Sequence, residues 1–190
     1  MAKITLTLLT DDDREQFILD NQRAFKYGAM EEFGHRDGRS EEDGEIISRE
    51  TIRRCIHDGV AYRIREDGRI VGGLVLQINE STQHNHLDLL FVCPEAHSKG
   101  IGFAAWKEVE RLYPGTRVWE TYTPYFETRN IHFYINKCGF HIVEFFNSHH
   151  PDPHDPETGE EENYEEGGGM FRFVKIMEPR RPAEEQDPRA

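Results

Sequence analysis

No run of about eighteen apolar residues occurs in this chain, so the sequence predicts no membrane-spanning helix. The leading MAKITLTLLT has neither the apolar core nor the small-residue cleavage site of a secretory signal, and a cytoplasmic protein is expected. Cysteine is scarce. Cys55, Cys93 and Cys138 are the only three, an odd number at scattered spacing. That excludes a fully paired disulfide framework and any CxxC zinc site, and it predicts reduced, mostly buried thiols. Positive charge is in deficit: 23 Lys and Arg stand against 36 Asp and Glu, a formal net charge of −13. No basic footprint for nucleic acid is found, and the field favours cationic partners. Neither HExxH nor GxxxxGK(S/T) occurs.

What is present is a foldable chain. Its 190 residues fit one domain with a sizeable core, and twelve Phe with seven Tyr argue against general disorder. Residues 4–8 alternate as a first strand, and Asp11 to Asp13 supply N-cap chemistry for a helix through about Met30. A second helix is expected over 46–57. Strands at 60–66 and 69–79 flank Asp67-Gly68, a strong hairpin signal. HLDLLFV (86–92) is largely apolar and so expected to be central, with Pro94 stopping it. A helix over 99–113, a strand over 116–123, a helix over 126–138 closed by Gly139, and strands over 140–146 and 170–177 complete the order. This predicts a mixed α/β sheet with helices on both faces. One domain over 1–178 is expected, with an acidic insertion at 147–169 and a frayed tail at 179–190. The insertion holds eight acidic residues and three Pro.

The chemistry concentrates in LLFVCPEAHSKGIGFAAWKEVE, residues 89–110. A strand ends at Pro94, a short loop follows, and Gly100-Ile101-Gly102 opens a helix. Such a turn is an anion site: glycines let a ligand approach the backbone, and first-turn N–H groups with the helix dipole favour phosphate. Lys99 adds positive charge. A dinucleotide fingerprint is disfavoured, because it needs GxGxxG after the first strand of a βαβ unit. Cys93 beside this motif raises a nucleophile reading, but a Val-Cys-Pro strand end is an ordinary place for a small apolar residue.

Val92-Cys93-Pro94 followed by His97-Ser98-Lys99-Gly100-Ile101-Gly102 resembles the acetyl-CoA motif of the GNAT acyltransferases, V-x-P-x-x-(Arg/Gln)-x-x-G-x-(Gly/Ala). FYINKCGF (133–140) resembles their second signature, F-Y-x-x-x-G-F, and the element order is similar over about 3–177. The resemblance implies a GNAT fold with a mostly antiparallel central sheet. It also implies transfer of acetyl from acetyl-CoA to an amine, without a metal. Leu90, Phe91 and Val92 would pair with the pantetheine arm, and Ser98, Lys99, Gly100, Ile101, Gly102 and Phe103 would cradle the pyrophosphate. Asn130 would bond the CoA arm or be an exposed helix residue. Relatives often dimerise through their C-terminal strands, so a homodimer is implied.

Two departures stand out. His97 replaces the usual Arg or Gln and is read as a phosphate donor or a surface histidine. FYINKCGF carries one extra residue, so the family's general-acid tyrosine aligns with Tyr134 or, counted back from Gly139, with Ile135. For the base, Asp88 comes first: it is a carboxylate in an apolar strand, four residues before Val92, where some members place an acid. Pairing with His84 or His86, or exposure to water, is its structural alternative. Glu120, on the next strand, is second; its alternative is an exposed polar-face residue. Tyr122 and Tyr125 line an acceptor pocket or the core. The Glu31-Glu32-Phe33-Gly34 segment and the acidic insertion are acceptor-site walls or solvated loops. His149, His150 and His154 lie in a Pro/Asp-rich stretch, so metal binding there is read as adventitious. The competing functions are a CoA-binding regulatory module without catalysis and an acidic interaction domain without a CoA site.

Overall fold

The computed structural model describes residues 3–33, 45–97, 99–153 and 169–178, with backbone alone at 31–33. Ser98, Gly34, His154, most of the acidic insertion and the 179–190 tail lie outside the described residues. The chain runs β1 (Ile4–Leu8), α1 (Arg14–Phe33), α2 (Arg49–Asp58), β2 (Val60–Glu66), β3 (Arg69–Gln77) and β4 (His84–Val92). It continues with α3 (Ile101–Leu112), β5 (Val118–Pro124), α4 (Thr128–His132), β6 (His141–Phe146) and β7 (Met170–Ile176). The seven strands form one sheet in the order β1-β2-β3-β4-β5-β7-β6. Every pair is antiparallel except β4–β5. The expected mixed sheet and the central place of the apolar strand both hold.

Local chemistry explains the boundaries. Asp67 and Gly68 take positive φ, 47° and 85°, as a tight hairpin turn between β2 and β3 requires. Ser48 accepts the Thr51 N–H at 3.0 Å as the N-cap, so α2 starts at Arg49, three residues after the expected start at 46. The expected single helix over 126–138 is two pieces: five α-helical residues, then a π-helical turn from Phe133 to Cys138.

Two apolar layers hold the sheet. On one face α3 and the π turn bury Trp106, Trp119, Phe140 and Phe173; Trp106 meets Trp119 edge-on at 5.3 Å between ring centres. On the other face α1 and α2 bury Phe17, Ile18, Ile52 and Phe91. Here β3 has no side chain at Gly73. A Cβ there would sit 2.3 Å from Phe17 and 2.8 Å from Phe91, whose rings make an edge contact at 5.0 Å. The three thiols are free, with Cys93 and Cys138 buried and Cys55 half-buried. Burial raises the Cys93 thiol, so it is no activated nucleophile.

Under the π turn, Lys175 donates to Glu110 and to the Cys138 carbonyl, both at 2.5 Å, and Lys107 reaches the other Glu110 oxygen. Burial alone would raise the Glu110 carboxyl, but the two ammonium groups overrule it and hold it below the ordinary carboxylate range. A depressed folded-state value stabilises the fold at pH above the unfolded value, and that stability is lost as pH falls through the folded one. The urea midpoint is therefore expected to drop between about pH 5 and about pH 2, and Glu110→Gln should drop less over that interval. Parallel curves for the two proteins would show that Glu110 carries none of the acid sensitivity.

Candidate active site

The site begins with an irregularity in β4. Val75 of β3 faces Leu89, but the next residue, Leu76, faces Leu87, so Asp88 is the extra residue of a bulge. On its other edge β4 pairs with β5 for three residues only: His84, Asn85 and His86 opposite Val118, Trp119 and Glu120. Beyond that point β4 continues to Val92 and β5 to Pro124 without pairing, so the strands splay. The Cys93 N–H donates to the Val71 carbonyl at 2.8 Å, and this sets the alternation of the ladder. Phe91 turns its polar groups toward β3. Leu90 and Val92 turn theirs into the gap.

A cavity of about 480 Å³ lies against this gap, and its lining includes Leu90, Phe91 and Val92. Gly100, Ile101, Gly102 and Phe103 at the start of α3 form a second wall. Gly100 is the N-cap, with φ 75° and ψ 10°, and a Cβ there would meet no atom within 4 Å. The left-handed residue turns the chain so that α3 begins at the cavity, where its first-turn N–H groups have no intrahelical acceptor. Arg129 and Lys137 also line the cavity, with His132 and the acidic Glu127 beside them. Lys99 is exposed and outside the lining. Asn130 lines it while donating to Glu127 at 2.5 Å.

His97 fits neither sequence expectation. Its Nε2 donates to the Val92 carbonyl at 2.6 Å, which leaves Nδ1 to accept from Arg129 at 3.0 Å. Both ring nitrogens are engaged, and the ring packs edge-on to Tyr27. The imidazole ties the motif loop to the strand end and to α4, and Arg129 brings the cation that the motif position lacks. Tyr134 also lines the cavity, whereas Ile135 does not. The π turn explains how: Gly139 N–H reaches back five residues to the Tyr134 carbonyl, so the extra residue of FYINKCGF is absorbed within the turn. Burial holds the Tyr134 phenol well above its ordinary value, with Thr121 within hydrogen-bond reach opposing weakly.

A family model described as acetyltransferase (GNAT) family matches residues 19–140, which span the splayed strands, the glycine turn and the π turn. The chain belongs to the GNAT acetyltransferases. A relative from Bacillus subtilis (strain 168), described as uncharacterized protein YrkN, is 48% identical over 179 residues, covering 92% of this chain and 94% of its own. In fold the GNAT chain is similar to the ribosomal-protein-S18-alanine N-acetyltransferase of Escherichia coli, with TM-score 0.62 at 13% identity, covering 96% and 98% of the two chains. It is also similar to the PaiA N-acetyltransferase of Thermoplasma acidophilum in complex with coenzyme A, with TM-score 0.61 at 20% identity, covering 92% and 99%.

Asp88 and Glu120 of this GNAT protein lie outside the cavity lining, whose acidic residue is Glu127. Asp88 stands beside Cys55 of α2, and Glu120 alternates with Trp119, which faces α3. Asp88 accepts from His86 Nδ1 at 2.5 Å and from Gln77 at 2.9 Å. Glu120 accepts from Arg172 at 2.9 Å and 3.0 Å, from Tyr122 at 3.2 Å, and lies 3.1 Å from His84 Nε2. Burial alone would raise Glu120, but the Arg172 guanidinium holds it below the usual carboxylate range. Arg172 also binds Glu144, which meets His150. Tyr122 belongs to this polar face, stacked at 6.2 Å on Phe146. The sequence named His86 only as a pairing partner of Asp88, and Arg172 and Arg129 were not singled out. His86 had a signal, two residues from Asp88 on the same side of a strand. Arg172 and Arg129 had none, because their partners are distant in the chain. Among the described residues no group of three or more His, Cys, Asp or Glu is placed to hold a metal, and no helix is long and apolar enough to cross a membrane.

Proposed function

We propose that this GNAT acetyltransferase moves the acetyl group of acetyl-CoA to a primary amine of a small molecule or basic peptide, by direct attack in a ternary complex in the cytoplasm. The splay of β4 from β5 carries this reading, because it opens unpaired backbone groups between a phosphate-type helix start and a polar face. The pyrophosphate would lie at Ser98 and the Gly100–Phe103 turn, with Arg129 and Lys137 at the rim. The pantetheine arm would add to the β4 edge at Leu90 and the Val92 N–H as an extra strand, beside Asn130. The amine would enter from the face of Asp88, Glu120 and Tyr122. An acidic surface favours that cationic acceptor. Its nitrogen would attack the thioester carbonyl, a backbone N–H of the gap would hold the oxyanion, and Tyr134 would protonate the departing thiolate. A homodimer through the C-terminal strands belongs to this reading; Ile142, Val143 and Phe145 are the exposed apolar side chains on edge strand β6 that it would cover.

Calorimetric titration with acetyl-CoA tests the reading, followed by free-thiol release with an amine panel. Micromolar binding with turnover supports it; no binding by a folded sample defeats it. Binding without turnover favours the CoA-binding regulatory module. Tyr134→Phe is expected to lower turnover about tenfold to 100-fold with acetyl-CoA affinity unchanged. A variant as active as the parent would remove Tyr134 from the proton path.

A further inference from the structure

His86 is the last residue of β4 that pairs with β5, opposite Glu120, so it sits at the apex where the strands part. Its Nδ1 lies 2.5 Å from Asp88 Oδ1, and the second Asp88 oxygen is held by Gln77 at 2.9 Å. Residues two apart on a strand share a face, which sets the Asp88 carboxylate beside the ring, and the extra residue of the bulge falls at Asp88. An ionised carboxylate can only accept, so Nδ1 donates, and in the neutral ring Nε2 presents its lone pair. The side chain is 28% exposed, open enough to be reached.

The groups facing His86 come from four elements besides its own. Glu120 and Tyr122 lie on β5, with Tyr122 5.4 Å away between ring centres. Arg172 on β7 neutralises Glu120. Gln77 on β3 and Cys55 on α2 lie beside Asp88. Glu120 has both oxygens engaged and is held below the ordinary carboxylate range, which makes it a weak base. Asp88 likewise has each oxygen occupied. Among the described residues, the His86 imidazole keeps an acceptor at the apex that no hydrogen bond uses.

We infer that His86 Nε2 is the general base of this enzyme and that Asp88 is its positioning residue. The inference rests on the acetyltransferase reading above. As the amine nitrogen forms its bond to the thioester carbonyl carbon, its proton passes to Nε2, giving an imidazolium that Asp88 stabilises. The carbon–sulfur bond then breaks, the thiolate takes a proton from Tyr134, and water exchange restores both side chains. The sum is amine plus thioester giving amide plus thiol.

Two measurements test it. Long-range nitrogen–proton NMR of the histidine-labelled full chain is expected to show the neutral His86 ring protonated at Nδ1, with Asp88→Asn weakening that preference; a proton on Nε2 would overturn the dyad. Thiol release from acetyl-CoA is then followed with spermidine, lysine methyl ester and tyramine across pH. His86→Ala is expected to lose about 100-fold in kcat, keep its acetyl-CoA affinity, lose the acid limb of the pH profile and regain turnover with added imidazole. Asp88→Asn should lose about tenfold in kcat with KM unchanged, and nothing further in the His86→Ala background. Full turnover by His86→Ala, or an added loss from Asp88→Asn in that background, would overturn the assignment. If the wild type binds acetyl-CoA yet turns over no amine, the assignment fails and the binding-module reading gains. If it does not bind acetyl-CoA, the acetyltransferase reading itself has failed.

Discussion

Gly100→Glu is expected to weaken acetyl-CoA binding about 100-fold or more while the chain stays folded, as read by calorimetry beside circular dichroism. Two effects add. Gly100 holds φ 75°, where an L side chain costs about 1 kcal/mol. The new carboxylate would also stand at the start of α3, on the cavity wall where phosphate is proposed to lie. A 100-fold loss is about 2.7 kcal/mol, which strain and like-charge repulsion together supply. Gly100→Ala separates them, since it carries the strain without the charge, and about a tenfold loss is expected. The surrounding space is open, so neither variant should clash with the fold. Unchanged affinity in Gly100→Glu would remove the phosphate from this turn and with it the motif reading.

Arg63→Met is expected to cost the fold about 3–5 kcal/mol, read from urea denaturation. Arg63 is 1% exposed in the middle of β2. Its Nε and one terminal nitrogen grip both Asp13 oxygens at 2.7 and 2.8 Å, the other nitrogen binds Asp20 at 2.9 Å, and the guanidinium lies 5.1 Å from the centre of the Phe17 ring. Removing it leaves two carboxylates facing each other with little water between them. The planar fork serves two acids at once, so Arg63→Lys should recover only part of the loss. Asp20→Asn in the Arg63→Met background should return some stability by removing one of the opposed charges. Asp20 lies one turn before Ala24, which lines the cavity together with Gly28 on α1. A loss below about 1 kcal/mol would mean that the site relaxes or hydrates freely.

Much of this molecule could be read from local signals. The hairpin at Asp67-Gly68, the stop at Pro94, the left-handed Gly139 and the αL N-cap at Gly100 each follow from one or two residues whose backbone preference is strong. The apolar run HLDLLFV marked the centre of the sheet because only a strand covered on both faces lacks a polar side. With the glycine turn placed after it, the family was legible in the sequence.

Three features depended on contacts that no window of sequence contains. The register of Tyr134 turned on a π-helical turn, whose single extra residue is stabilised from outside by Lys175 reaching the Cys138 carbonyl. The role of His97 was decided by Arg129, 32 residues away, and by a strand-end carbonyl. Asp88 and Glu120 stood first and second as the base, with pairing to His84 or His86 the alternative for Asp88; the fold sets Asp88 against His86, and β7 brings Arg172 across to Glu120 from 52 residues away. Sequence determined which backbone conformations and which chemical groups were present, because those are properties of single residues and short windows. Only the tertiary structure decided which group holds which, because hydrogen bonds and ion pairs form across strands whose separation in the chain bears no relation to their distance in space.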